Sequence, residues 1–167
     1  DAVAEKNGVS ATVIVEASVW LQDNQWVLDL VRHNPDRYIG LVGSLEIGAP
    51  GFKQNLKGLS QDKRFVGIRM RERPGGEQFF NDAVWRDLKF LADMDQTLDV
   101  LMFQFSLADV DNVARQIPSL KILINHVAGA NIEGKQADSE WAKGVRQVAE
   151  NPNVHCIFVD VRISKSV

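Results

Sequence analysis

Cysteine is almost missing from this chain. Cys156 stands alone among 167 residues, which excludes an intrachain disulfide and a cysteine-based metal site. That suits a reducing compartment, and a cytoplasmic location is the expectation. No apolar run approaches the roughly 20 residues of a membrane span, and the N-terminal stretch has no signal-peptide pattern. Basic charge is not in excess: 19 Lys and Arg stand against 22 Asp and Glu, for a net charge of −3. Binding to nucleic acid needs a concentrated basic face, so neither nucleic acid nor membrane is an expected partner. No GxGxxG and no P-loop motif occurs, which weighs against a dinucleotide-binding fold. His-x-His, HExxH and other metal-ligand spacings are also absent, and no metal is expected on these residues. The first residue is Asp, not Met, so a processed, trimmed or fragmentary chain is expected.

What is present fits an ordinary globular domain, 45% hydrophobic and 25% charged, and a single domain over residues 1–167 is expected. Short apolar, β-branched runs alternate with segments of helical periodicity. Strands are predicted over 11–17 (ATVIVEA), 38–45, 64–70, 98–105 (LDVLMFQF), 120–124 and 154–159. The helix after the first strand takes Asp23 or Asn24 as its cap and Trp26, Val27, Leu30 and Val31 as its apolar set. Further helices are predicted near 52–59, 78–94, 108–117 and 138–150. The 78–94 helix carries a stripe of Phe80, Val84, Leu88 and Leu91. Gly67, inside the third strand, marks a bulge or a close backbone approach. Some six strand–helix units imply a parallel α/β sheet, either doubly wound or part of a (β/α)₈ barrel.

In both architectures the chemistry gathers where strands end at their carboxyl side. The candidates there are Glu16 and Ser18, Gly43 and Ser44, Arg69 and Arg71, Phe103 and Gln104, His126 and Asp160. His126 closes LKILIN before a Gly-containing loop. Serine, arginine, glutamine and histidine together suit a small, oxygen-rich anion, because arginine's planar fork grips carboxylates. Histidine polarises a carbonyl or moves a proton near neutral pH. Each residue also has a structural reading. Ser18 can serve its own turn, Glu16 can pair with an arginine, and Arg69, Arg71 and Arg73 can form a solvated row. His33 reads as a helix C-cap and His155 as a structural residue.

The series VIVEASVWLQDN (13–24), FVGIRMR (65–71), PSLKILINHVAGANIEGK (118–135) and NPNVHC (151–156) resembles the amidohydrolase-related family, within its lactonase branch. The resemblance implies an incomplete (β/α)₈ TIM barrel, with this chain supplying about strands two to seven. It implies His126 as the residue that polarises a scissile carbonyl, and Arg69 as a holder of a substrate carboxylate or oxygen. Ser18 touches substrate on the same reading, while Arg71 and Gln104 are substrate-binding candidates by their strand-end positions. The family's strand-one His-x-His pair and its late aspartate lie outside this sequence, and Asp160 is not that aspartate. Phe103-Gln104 stands where metal-using relatives place a histidine. A divalent metal in an intact parent is therefore open but disfavoured, and this chain alone is expected to be inactive. The implied function is hydrolysis of a lactone or related ester. Alternatives are a non-catalytic α/β ligand-binding or interaction protein and, more weakly, a metal-dependent decarboxylase. A homo-oligomer is compatible with the unpaired edge strands that six strands would leave.

Overall fold

A computed structural model describes residues 2–16, 18–73, 76–130 and 139–157. Its six strands are β1 (Thr12–Val15), β2 (Tyr38–Gly43), β3 (Phe65–Met70), β4 (Thr97–Val100), β5 (Lys121–Ile124) and β6 (Val154–Cys156). All neighbouring pairs are parallel, in the sequential order β1-β2-β3-β4-β5-β6. The helices are α1 (Ala2–Lys6), α2 (Leu21–Arg32), α3 (Phe52–Leu59), α4 (Asp82–Asp93), α5 (Leu107–Gln116), the single turn α6 (His126–Gly129) and α7 (Ser139–Val148). Sequential parallel order with intervening helices is the arrangement of a (β/α)₈ barrel, here with six strands and so incomplete.

Strand pleating divides the side chains between two environments. Ile68, Leu98 and Ile122 lie opposite one another across β3, β4 and β5. All three are fully buried, in one core with Leu56, Leu88, Leu91, Val110 and Val113 from the helices. The alternate positions, Arg69 and Asp99, are also paired in register. They belong to the other face.

Local sequence explains most of the helix starts. Asn81 accepts hydrogen bonds from the amides of Ala83 and Val84 at the head of α4, as a short polar cap should. Ser106 and Asp109 form a reciprocal capping box on α5. Helix α2 corrects one expectation. It begins at Leu21, with Trp20 at the cap position and no side-chain cap. Asp23 and Asn24 therefore fall inside the first turn. Asn24 is buried and used across the fold, accepting from Ser44 N–H at 2.8 Å and donating to Ser44 C=O at 2.9 Å. The core face of α2 is Leu28 and Val31, whereas Trp26 and Leu30 are exposed.

Two other elements are shorter than predicted. β4 stops at Val100, and the chain turns away so that Phe103 is 85% exposed. An apolar run alone cannot tell a buried strand from the loop that follows it. The helix expected over 78–94 begins only at Asp82, after a one-turn 3₁₀ segment, Gly76–Gln78, and Phe80 packs edge-on against Phe79. Gly67 meets the expected close approach. A side chain there would overlap the Thr97 hydroxyl and lie 2.5 Å from the Thr97 carbonyl oxygen. The end of the predicted sixth strand, with Asp160, falls outside the described residues.

Candidate active site

The carboxyl ends of β1, β3, β4 and β5 bring together two arginines, two buried carboxylates and a buried amide. Arg69 Nε donates to Asp99 Oδ1 at 2.8 Å. Asp99 is 1% exposed, so its charge needs that partner. Asn125, also buried, donates its side-chain amide to the same oxygen. One carboxylate oxygen thus fastens the strand bearing Arg69 to the segment leading into His126.

Arg71, two residues on, reaches across to β1. Its Nη2 donates to both oxygens of Glu16, at 2.8 and 3.0 Å, while its Nε is buried without a hydrogen-bond partner. Burial pushes the Glu16 carboxyl above its ordinary value of 4.5, with Arg71 and Arg69 opposing that shift and Asp99 adding to it. Arg69 and Arg71 line one cavity of about 190 Å³, walled by Val19, Ser44, Ile47 and Phe79. Glu46 and Glu72 also line it, so arginine donors, carboxylates and apolar surface meet there, a lining suited to a small polar organic molecule.

Arg73 has a different task. Its backbone amide donates to Gln104 Oε1 at 2.8 Å, its Nη1 to Asp109 at 2.9 Å and its Nε to the Gly76 carbonyl at 2.7 Å. Because Asp109 also completes the α5 capping box, Arg73 clasps the loop after β3 to the head of that helix.

His126 opens α6, and this turn is left-handed. His126, Val127, Ala128 and Gly129 have φ of 52°, 53°, 55° and 70°. Left-handed geometry costs a non-glycine residue roughly 1–2 kcal/mol, and three consecutive residues here bear it. The turn is held from outside. Trp141 Nε1 on α7 donates to Val127 C=O at 3.1 Å, and the Ala128 amide donates to Asn125 C=O at 3.1 Å. The Cys156 thiol nearby is pushed up chiefly by burial, with the Val127 backbone partly offsetting that. Strain retained under such restraint is a feature of functional segments.

The structure joins some expected site residues and separates others. Arg69 and Arg71 share a cavity, and His126 connects to them through Asn125 and Asp99. Ser18 accepts a hydrogen bond from the Trp20 amide at 3.1 Å, within its own turn. Gln104 is exposed and engaged by Arg73. None of Ser18, Gln104 and the exposed His126 lines the arginine cavity. His33 caps α2 as expected, its Nδ1 lying 2.6 Å from the Asp29 carbonyl. Sequence reasoning passed over Asp99 and Asn125. Their signal was a lone acid and a lone amide inside or beside strands that are otherwise apolar.

The amidohydrolase family model matches residues 1–160. The chain belongs to the amidohydrolase family. It is 26% identical over 153 residues to an L-fucono-1,5-lactonase of Burkholderia ambifaria, covering 90% of this chain and 52% of that protein. Among solved structures it is similar to a zinc-bound amidohydrolase of Burkholderia multivorans, with TM-score 0.80 and 19% identity, covering 94% of this chain and 56% of that one. It is also similar to a probable 2-pyrone-4,6-dicarboxylic acid hydrolase of Acinetobacter baumannii with citric acid bound. There the TM-score is 0.65 and the identity 15%, covering 87% of this chain and 53% of that one. The chain spans about half the length of the relatives it matches.

The zinc in one of those structures raises the question of a metal here. Among the described residues no three His, Cys, Asp or Glu side chains lie together as a metal site requires. Glu16 and Asp99 are each engaged by an arginine. The described residues do not by themselves assemble a metal site.

Proposed function

We propose that this chain carries the substrate-holding side of a lactone hydrolase, acting on a small oxygen-rich substrate with an anionic group. Arg69, held in place by Asp99, takes that group with two parallel hydrogen bonds from its terminal nitrogens. His126 faces the ester carbonyl and stabilises the negative charge that develops on its oxygen. Water adds to the carbonyl carbon, the ring C–O bond breaks, and the ring oxygen leaves as a hydroxyl after taking up a proton. The product is the hydroxy acid.

The observation that carries this reading is the single carboxylate, Asp99, to which Arg69 and Asn125, the neighbour of His126, are both fastened. It gives the anion-holding residue and the carbonyl-facing residue one common anchor. Similarity to a lactonase supports the choice of bond.

The test is turnover, by the gene product that contains these residues, of lactones that carry a carboxylate, with neutral sugar lactones such as L-fucono-1,5-lactone as the contrasting set. His126→Ala should lower kcat by about 10²–10³-fold, the cost of an oxyanion donor. Arg69→Ala should mainly raise KM. Wild-type turnover by both variants on every lactone hydrolysed would end the assignment. Ligand binding without any turnover would favour a non-catalytic carboxylate-binding protein.

A further inference from the structure

The ion pair between Arg71 and Glu16 is lopsided. A guanidinium and a carboxylate match best as a fork, two nitrogens against two oxygens. Here both Glu16 oxygens crowd onto Nη2, and the adjacent Nε–H, buried, has no hydrogen-bond partner. A buried donor left unmade is costly, by about 1–3 kcal/mol. Glu16 is also a poor resident, since its carboxyl is largely withdrawn from water. The cavity beside this pair is lined by Arg71 itself and by Arg69, whose terminal nitrogens make no hydrogen bond among the described residues. Donors on both arginines are therefore left without partners, although Glu46 and Glu72 also line the cavity.

We propose that Glu16 is an internal stand-in for a ligand carboxylate: a small carboxylate entering the cavity displaces Glu16 from Arg71 and takes Nε and Nη2 together as a fork. Arg69 donates to the same ligand from the other side. This deepens the reading of the arginine cavity as the subsite for the substrate's acid group, and rests on it. Glu16 then sets the selectivity of the site. A ligand must offer Arg71 a better-placed carboxylate than the one it already has, so neutral sugars and esters do not open it.

The charged groups facing Glu16 are Arg71 and Arg69 from the β3 side and Asp99 from β4, with Glu46 and Glu72 lining the cavity. Protonating Glu16 frees Arg71. Anion affinity should therefore rise as the solution becomes mildly acidic.

Malonate serves as probe near neutral pH, titrated into the 167-residue chain by calorimetry and by the arginine Nε–H signals in ¹⁵N NMR. The wild-type chain should bind it with a shift of the Arg71 Nε–H signal, and Glu16→Gln should bind about tenfold more tightly. Glu16→Asp, which keeps the charge but shortens the reach, should also tighten binding and keeps the test open should Glu16→Gln fail to fold. Arg71→Gln should weaken it at least tenfold. Sulfate, whose charge is constant over this range, should bind more tightly on acidification to the wild type but not to Glu16→Gln.

The idea is overturned if folded Glu16 variants bind no more tightly than the wild type. It is overturned equally if Arg71→Gln retains wild-type affinity, or if the Nε–H signal does not move. Hydrolysis is not measured in any of these arms, so their failure is separable from failure of the lactonase reading.

Discussion

Arg69 and Asp99 sit directly opposite each other on adjacent parallel strands, joined by a 2.8 Å hydrogen bond from Nε to Oδ1. Neither group is in free contact with water, the side chains being 13% and 1% exposed. Removing either partner therefore strands a charge instead of deleting a surface bridge. Asp99→Asn should cost about 3–5 kcal/mol, the loss typical of a broken buried pair. Urea denaturation measures it, and a loss below about 1 kcal/mol, the scale of a surface ion pair, would show that the pair is not what fastens Arg69.

The left-handed turn after β5 makes a prediction of the opposite sign. Ala128→Gly removes a Cβ from a residue at φ 55° and should stabilise the chain by about 1 kcal/mol. Trp141→Phe removes the indole donor to Val127 and should cost about 1 kcal/mol. Thermal melts of the two variants test the signs. Amide exchange at residues 126–130 should slow in the first and quicken in the second.

Gly67 cannot accept even one methyl group without moving backbone. Its nearest obstruction includes the Thr97 carbonyl, which is part of the sheet. Gly67→Ala should be destabilising by about 3 kcal/mol, at the upper end of overpacking costs. Because the Thr97 hydroxyl donates to the Val66 carbonyl at 2.9 Å, Thr97→Ala should not rescue it. A midpoint shift in denaturant smaller than that of a conservative core change would contradict this.

Asp111 provides the clearest acid dependence. Burial works against its charge, but donors from Arg115, Asn151 and Gln147 outweigh that and hold its pKa below the ordinary 3.8. The contacts are 3.0 Å from Arg115 Nε to each oxygen, 2.7 Å from Asn151 and 2.7 Å from Gln147. A depressed carboxyl binds its proton more weakly when folded. Its stabilisation is therefore full above pH 3.8 and is lost as pH falls through the lower folded value. Glu16 has the reverse sign. Its raised pKa lets the folded chain hold the proton more tightly, so stability declines as pH rises from 4.5 through the folded value. Asp111→Asn should cost about 1–3 kcal/mol near neutral pH and flatten the acid limb of the stability profile, while Glu16→Gln should flatten its descent above pH 4.5.

The sequence carried the strand–helix alternation, the sharp end of β5 and the clustering of arginine after β3, because hydrophobic period and turn residues encode those features locally. It did not carry the rotation of α2. Trp26 and Leu30 share the helical spacing of core residues yet face outward, since which stripe is buried depends on neighbours far along the chain. Nor did it carry the partners. Glu16 was legible as an acid able to meet an arginine, but choosing Arg71 over Arg69 depends on register across two strand junctions, one bulged between Thr12 and Val13 and the other between Leu41 and Val42. The left-handed turn was the least legible of all, since Val127 and Ala128 are poor residues for it.

The sequential strand order has a kinetic consequence. Every strand pairs only with the strands made immediately before and after it, so each pairing closes a loop of one helix-containing unit and no pairing waits on a distant segment. Loop-closure entropy grows slowly with length, and these steps are nearly equal in cost. The sheet can therefore nucleate at any neighbouring pair and extend from there. Glu16 and Arg71 come together only once β1, β2 and β3 are all in place, so the anion site depends on three successive strands.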